Sequence, residues 1–376
     1  MDRSTQNTRT EQLIFDGNAY LQILLDHIQL SKNEILVSTY IFNNDEFGSQ
    51  IFEALQKRAK QGVQIKFLID GYGSWPWIKD KLQNFHCENF HIRVYHLLPW
   101  PFSTLKLSLM FPFLNFFRLI YFWNNRNHQK LFIFDQATSV LGSRNIWNEA
   151  IVWRETSILV TGAVTEEMST VFNNVWERSH NRLLKRLYGA NLYKISKNFR
   201  NVFTTHIFLL RRNAQKVLNQ KIANANSHVQ ITTPYFFPTK KTLFMLIKKA
   251  QSGVDVRILL PQKTDVRISK WISITHYERL LKAGIKIYEY ETNVLHAKST
   301  LIDDWALIGS SNFNRRSLFR DLELDYLINQ TQTIQKLREQ FDLDLQQSVQ
   351  ITSAPKTNFL KRSFTQIIIR IFPSWF

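Results

Sequence analysis

The chain has 376 residues, enough for two domains of ordinary size or one large one. Hydrophobic residues make up 44%, which excludes general disorder, and Cys87 is the only cysteine, which excludes an intrachain disulfide. A net charge of +18 excludes a preference for cationic partners and points to phosphate, in nucleic acid or at an anionic membrane surface.

Along the chain, residues 1–16 are polar and charged and lack the apolar run of a signal peptide. With the lone cysteine, this reads as an intracellular protein. Residues 35–42 read as a buried strand. An amphipathic helical pattern then ends at Gly62, and a second apolar run follows over 63–70. The same sentence recurs later: a strand over 229–237, a helix ending at Gly253, and a strand over 254–261. Each half therefore begins strand–helix–strand, as expected of a duplication.

Residues 97–123 are apolar and aromatic but broken by Lys106, Pro112 and Arg118. No uncharged run there approaches the roughly 18 residues of a membrane-spanning helix. The segment fits either a buried loop or an element dipping into a membrane interface, and its place just before His128 favours the second. Residues 181–200 carry six Arg and Lys and no acid, a basic linker. The end of the chain, 359–376, is rich in Ile, Phe and basic residues, and reads as an interfacial anchor.

The most specific signal is a repeated motif. His128-x-Lys130-x4-Asp135 is followed by Gly142-Ser143-Arg144-Asn145, and His296-x-Lys298-x4-Asp303 is followed by Gly309-Ser310-Ser311-Asn312. A given His meets Lys at +2 and Asp at +7 by chance on the order of a few times per thousand. With ten histidines in the chain, two such matches, each with a Gly-Ser-x-Asn trailing the Asp, are not accidental. One active site assembled from two half-sites is expected.

Alternation around residues 130–135 predicts a strand, with His128 and Lys130 on one face. Two imidazoles and two ammonium groups in one cleft suit a phosphodiester. The lysines neutralise phosphate oxygens, and Ser143, Asn145, Ser310 and Asn312 add neutral donors. One His attacks phosphorus, and the other protonates the leaving alcohol and then deprotonates the incoming one. A His that attacks through one nitrogen needs an acceptor on the other. Glu155 and Glu323 stand at matching places after the two glycines, opening strands over 156–160 and 324–328, with Glu149 a rival in the first half. No Cys/His or carboxylate cluster suggests a metal site, so no metal and no cofactor is expected.

At these residues the sequence resembles the phospholipase D superfamily, whose signature is the duplicated H-x-K-x4-D. Within it, residues Ser38-Thr39-Tyr40-Ile41-Phe42, Asp70-Gly71-Tyr72-Gly73-Ser74, Arg126-Asn127-His128, Trp153-Arg154-Glu155-Thr156, Thr233-Pro234-Tyr235-Phe236 and Arg315-Arg316-Ser317 are similar to the bacterial cardiolipin synthases, in a short form without N-terminal transmembrane helices. The sequence departs from that pattern at Ser143 and Asn314, and its second motif is one residue shorter before Gly309. The resemblance implies an α/β fold: two pseudo-symmetric lobes, each a mixed sheet flanked by helices, with the site at their interface. It implies a set of catalytic residues His128, Lys130, Asp135, His296, Lys298 and Asp303, with His128 as nucleophile and His296 as acid. The pseudo-symmetry of the residues themselves leaves that order open.

The implied activity is phosphatidyl transfer between two phosphatidylglycerol molecules through a phosphohistidine, giving cardiolipin and glycerol. The alternatives are a phospholipase D-type hydrolase, another phosphatidyltransferase, or a nuclease of the superfamily. The implied partners are an anionic phospholipid membrane and phosphatidylglycerol, with the chain peripheral on the cytoplasmic face of the inner membrane. Nucleic acid is not expected, because the apolar runs are aliphatic rather than stacking aromatics in basic grooves. The expected organisation is an N-terminal tail 1–12, a first lobe 13–180 with insert 97–123, a basic linker 181–205, a second lobe 206–350, and a membrane-associating segment 351–376.

Overall fold

The computed structural model describes residues 9–96, 125–180, 201–205 and 208–355, together with 365, 367 and 369. The predicted insert 97–123, the basic stretch 181–200 and nearly all of 359–376 lie outside the described residues.

The first lobe runs β1 (Glu11–Ile14), α1 (Gly17–Leu30), β2 (Glu34–Thr39), α2 (Glu46–Lys60), β3 (Gln64–Asp70), α3 (Trp75–Lys81), β4 (Phe90–Tyr95), β5 (Leu131–Phe134), β6 (Thr138–Gly142), α4 (Glu149–Val152), β7 (Ser157–Thr161) and α5 (Val164–His180). The second runs β8 (Val202–Thr204), α6 (Phe208–Ala223), β9 (His228–Thr232), α7 (Lys240–Gln251), β10 (Asp255–Pro261), α8 (Arg267–Lys282), β11 (Lys286–Tyr290), β12 (Ser299–Ile302), β13 (Trp305–Gly309), α9 (Arg315–Phe319), β14 (Leu324–Ile328), α10 (Thr331–Gln346) and β15 (Ser348–Ile351). The sheet orders are β1-β7-β6-β5-β2-β3-β4 and β15-β11-β10-β9-β12-β13-β14-β8. In each, three parallel strands adjoin an antiparallel set, so both sheets are mixed.

The expected duplication is therefore present as two lobes of one topology. Gly62 and Gly253 end the matching helices with φ of 95° and 93°, a conformation that glycine adopts without a Cβ clash. The boundaries differ from expectation at the ends. β1 begins inside the expected tail and pairs with β7, and β8 lies inside the expected linker and pairs with β14. The expected strands over 35–42 and 229–237 are shorter, at β2 and β9, because the chain turns at their ends to form the site.

Strand alternation divides the apolar residues between cores. On β5, Phe132 and Phe134 face α1 and α2, while Leu131 and Ile133 face the other lobe. The second lobe has its own outer core under α6, α7 and α8. Between the sheets, one core joins Leu36, Leu131 and Ile158 of the first lobe to Leu301, Ile308 and Tyr326 of the second, with α5 packed in it. The lobes thus share apolar surface that neither could bury alone.

The expected catalytic assignment of Asp135 and Asp303 is corrected here. Each sits past the far end of its strand, beyond β5 and β12, opposite to the end that carries His and Lys. A four-residue strand alone separates those ends by roughly 13 Å. The Asp135 carboxylate accepts the amides of Lys32, Asn33 and Glu34 at 2.7–2.9 Å. Asp303 accepts those of Asn226, Ser227 and His228 at 2.8–3.0 Å. Both residues have a φ of 49° and open the turn into the next strand. That turn holds three residues in the first lobe and two in the second, which accounts for the shorter second motif. The motif's aspartates are buckles of the fold. Asp135→Ala and Asp303→Ala should each lower stability by about 1–3 kcal/mol, the worth of charge-assisted bonds to backbone amides. Turnover per folded molecule should stay near wild type. Thermal melts beside activity normalised to folded protein would check this.

Candidate active site at the lobe interface

Two backbone bridges hold the site together. The segment carrying His128 leaves its own sheet and pairs with the other lobe: the His128 amide donates to the Leu322 carbonyl at 2.9 Å, and the Leu322 amide to the Arg126 carbonyl at 2.8 Å. The mirror exchange joins the segment before His296 to Arg154, whose carbonyl accepts the amides of His296 and Ala297 at 2.9 Å. Each histidine is thereby laid beside the glutamate of the opposite lobe.

The side chains complete the exchange. His128 Nδ1 lies 3.0 Å from Glu323 Oε2, and His296 Nδ1 lies 2.6 Å from Glu155 Oε1. All four are buried. With Nδ1–H donated to a carboxylate, each imidazole keeps the tautomer that leaves Nε2 with its lone pair. Glu149, the rival acceptor, is exposed at the start of α4 and reaches neither histidine. Glu323 also accepts the hydroxyls of Ser310 and Ser317, both at 2.6 Å. Nothing in the sequence alone marked Ser317 as a partner of this carboxylate.

Lys130 and Lys298 are buried as well, and each ammonium donates to the carbonyl of the histidine two residues before it, at 2.7 Å. Only Lys298 also lies within 3.0 Å of its histidine's Nε2. Burial and the opposing Lys298 draw Lys130 down to about 7, and burial draws Lys298 down to about 8. Burial also lowers both histidines, and His128 falls well below the usual value, with Lys130 and Lys298 adding to the effect. At His296 the Glu155 carboxylate opposes that fall. Burial raises Glu155 too, but the charge and hydrogen bond of His296, with Lys298 and Arg144, outweigh it and hold the carboxyl well below the ordinary range. At Glu323 burial prevails and the pKa is raised. The two half-sites are alike in shape and unlike in electrostatics.

The expected neutral donors are placed differently from one another. Ser143 is bonded to the backbone of Thr156 on both sides, and Ser310 to Glu323 and the Leu324 amide, so their hydroxyls tie strands together and are not free for phosphate. The Asn145 side-chain oxygen takes the Ile41 amide at 3.3 Å, which leaves its NH2 group as the donor. Asn312 is buried at the same place in the second lobe.

Around the histidines stand groups that the pattern of motifs did not assign. Tyr40 meets the His128 ring edge-on at 5.0 Å, and Trp153 meets His296 at 5.5 Å. On the His128 side, Arg316 bonds Asp321 at 2.8 Å, and Arg126 lies 3.7 Å from Asp70, whose carboxyl burial pushes up to about 6. On the other side, Arg154 pairs with Asp344 at 2.8 Å. Several of these residues belong to the strings that carried the family resemblance, but their charge pairing requires contacts between distant segments.

Residues 24–176 and 218–345 match the family described as cardiolipin synthase, PLD-like domain. The chain belongs to this family. A cardiolipin synthase of Halalkalibacterium halodurans is 30% identical over 354 residues, which cover 90% of this chain and 67% of that one. One of Clostridium perfringens is 30% identical, over 99% of this chain and 78% of its own length. The chain thus spans about two thirds or more of these relatives. Among solved structures, the phosphatidylserine synthase of Haemophilus influenzae superposes over 97% of this chain and 94% of its own, with a TM-score of 0.68 at 13% identity. A polyphosphate kinase of Porphyromonas gingivalis shares the fold over 97% of this chain and 53% of its own, with a TM-score of 0.58 at 10% identity. These structures establish the two-lobed fold expected from the resemblance. Among the described residues, no helix is long and apolar enough to cross a membrane, and no His, Cys, Asp and Glu cluster fits a metal ion.

The buried lysines set a pH dependence of stability. The unfolded lysines keep their protons up to about 10.5, while the folded ones release them near 7 and 8. Between these values the unfolded chain binds more protons, so stability rises with pH. The melting temperature of the ligand-free protein should increase from about pH 7 to 9.5. The slope should shrink in Lys130→Met and Lys298→Met, and also with a bound oxyanion such as vanadate, which restores the ammonium charge. A melt series across that window would decide it.

Proposed function

We propose that this protein is a phosphatidyltransferase that makes cardiolipin from two phosphatidylglycerol molecules and releases glycerol. The observation that carries the reading is the pair of buried imidazoles, each held at Nδ1 by the other lobe's glutamate, in one cleft with two buried lysines. The family's printed description and the names of its relatives supply the lipid.

The phosphodiester binds between Lys130 and Lys298, whose depressed pKa values recover as the anion arrives. His128 Nε2 attacks phosphorus. As the P–N bond forms, the bond to the leaving oxygen breaks, and His296, which enters the step as the imidazolium paired with Glu155, gives that oxygen its Nε2 proton and becomes neutral. A hydroxyl of the second phosphatidylglycerol then attacks, His296 takes its proton, and the P–N bond breaks. The asymmetry of the half-sites supports this order. His128 is the less basic imidazole, suited to attack in its neutral form. His296 sits on the more strongly ionised carboxylate, suited to carry a proton. Substrate phosphate draws Lys298 from the His296 Nε2 and frees that nitrogen to take up the proton it then donates. Glu155 and Glu323 orient the rings and stabilise imidazolium.

The protein acts at a membrane surface as a peripheral enzyme in this reading. Its charge of +18 and the apolar, basic segments 97–123 and 359–376 support attraction to anionic lipid.

Purified protein with phosphatidylglycerol vesicles should yield cardiolipin and glycerol in equal amounts. His128→Ala and His296→Ala should each lower the rate by at least about 10³-fold. A phospho-adduct trapped by acid quench should map to His128. Phosphatidic acid as the main product would replace transfer with hydrolysis. Cleavage of oligonucleotides with vesicles untouched would overturn the lipid reading. An adduct on His296 would reverse the two roles and leave the chemistry standing.

A further inference from the structure

The two lobes differ sharply at one place beneath the site. The matched capping by Asp135 and Asp303 fixes the register of the preceding helices, so that Tyr20 and Leu24 of α1 stand where Ala214 and Leu218 of α6 stand. The motif places Arg144 opposite Ser311 and Ile146 opposite Phe313, and strand pairing places Ser157 opposite Asp325.

In the first lobe this region is solid. Tyr20, Leu24, Arg144 and Ile146 are each at most 1% exposed. The Arg144 guanidinium donates to the carbonyls of Phe15 at 2.7 Å, Ile151 at 3.3 Å and Ala150, and lies 5.6 Å from the Tyr20 ring. Its charge helps to keep Glu155 ionised.

In the second lobe both large side chains are replaced by small ones. Ala214, Leu218, Ser311 and Phe313 are only half-buried, and they line an open cavity. Its apolar wall includes Leu307, and its polar wall includes Thr232, Thr242, the Lys298 segment and Asp325, a carboxyl that the first lobe lacks and whose charge Lys298 also feels. The donors that reach Asp325 are neutral: the Ser311 amide at 3.0 Å, with the Ser311 hydroxyl and the Ser310 amide. Burial pushes its pKa up to about 7, with the Glu323 charge adding to the rise. A cation has been exchanged for a hollow of matching position, and an acid has been added to its wall.

We propose that this cavity binds an aliphatic cation, a guanidinium or ammonium group on a short alkyl stem, in the place that Arg144 occupies in the first lobe. The stem lies on Leu218 and Leu307 and the charged head meets Asp325. Such a ligand brings to Glu323 the positive charge that Arg144 brings to Glu155, and so evens the two half-sites.

The test uses the full chain with n-butylguanidinium as probe and n-butylurea as its neutral isostere. Binding is read by ligand-observed NMR titration and by melting temperature. Saturable binding of the guanidinium is expected, with a Kd on the order of 1 mM for a ligand of this size. Binding should weaken at least about tenfold for the urea and for Asp325→Asn, which lose a charge-assisted hydrogen bond. Ser311→Arg supplies the missing side chain from the protein itself. It should abolish the guanidinium response and raise the melting temperature without ligand. If that variant does not fold, Ala214→Tyr, which closes the stem side of the cavity, should abolish the response in its place. The proposal is overturned by any of three results: no saturable binding, equal binding of the neutral isostere, or binding that survives both the folded filling variant and Asp325→Asn.

Discussion

The crossed pairing of imidazole and carboxylate is the constraint on which this structure turns. A buried glutamate is costly unless a partner takes its charge, and a buried imidazole is useless as nucleophile or acid unless its tautomer is fixed. Each lobe holds one half of both solutions. His128 depends on Glu323 and His296 on Glu155, so neither lobe contains a complete imidazole–carboxylate pair. The backbone bridges at Asn127 and Leu322, and at Arg154 and Leu295, bring the partners into register. The shared apolar core then holds the lobes together, because separating them would expose Leu131, Ile158, Ile308 and Tyr326 together. Packing, hydrogen bonding and chemistry all converge on one interface.

Much of this was legible in the sequence, and the part that was not has a physical reason. The duplication showed itself because each half repeats a helix stop at Gly62 or Gly253 between two apolar runs, and because His-x-Lys-x4-Asp is too rare a pattern to recur by chance. Glu155 and Glu323 stood out by matched spacing. Which glutamate serves which histidine was hidden, since spacing is the same whether the pairs form within a lobe or across. The motif's aspartates misled for a related reason: a repeated offset from a site residue marks a shared strand, and a strand has two ends. Asp135 and Asp303 hold the far end. Ser143 and Ser310 read as phosphate donors because a hydroxyl carries no sign of what it will bond, and the strand partner claimed both.

The differences between the lobes matter as much as their likeness. A strictly twofold site would give both histidines the same basicity and no division of labour. Arg144, with no counterpart at Ser311, helps to set Glu155 apart from Glu323. The lysines differ too, Lys298 resting on its histidine's Nε2 and Lys130 not. Small substitutions on a duplicated frame thus place two chemically identical groups in distinct electrostatic settings.

The exchanged backbone segments also bear on how the enzyme moves. Many two-lobed enzymes admit substrate by hinging, with the catalytic groups meeting only on closure. Here a hinge between the lobes would tear two β-bridges and pull each imidazole off its carboxylate before any substrate arrived. The floor of the cleft is therefore a fixed anvil. Movement at the cleft is left to the half-buried rings that stand against the histidines, Tyr40, Trp153 and Tyr235, and to the loops that carry them. In the reaction proposed above, exchange at the mouth can then proceed while each imidazole keeps its carboxylate throughout.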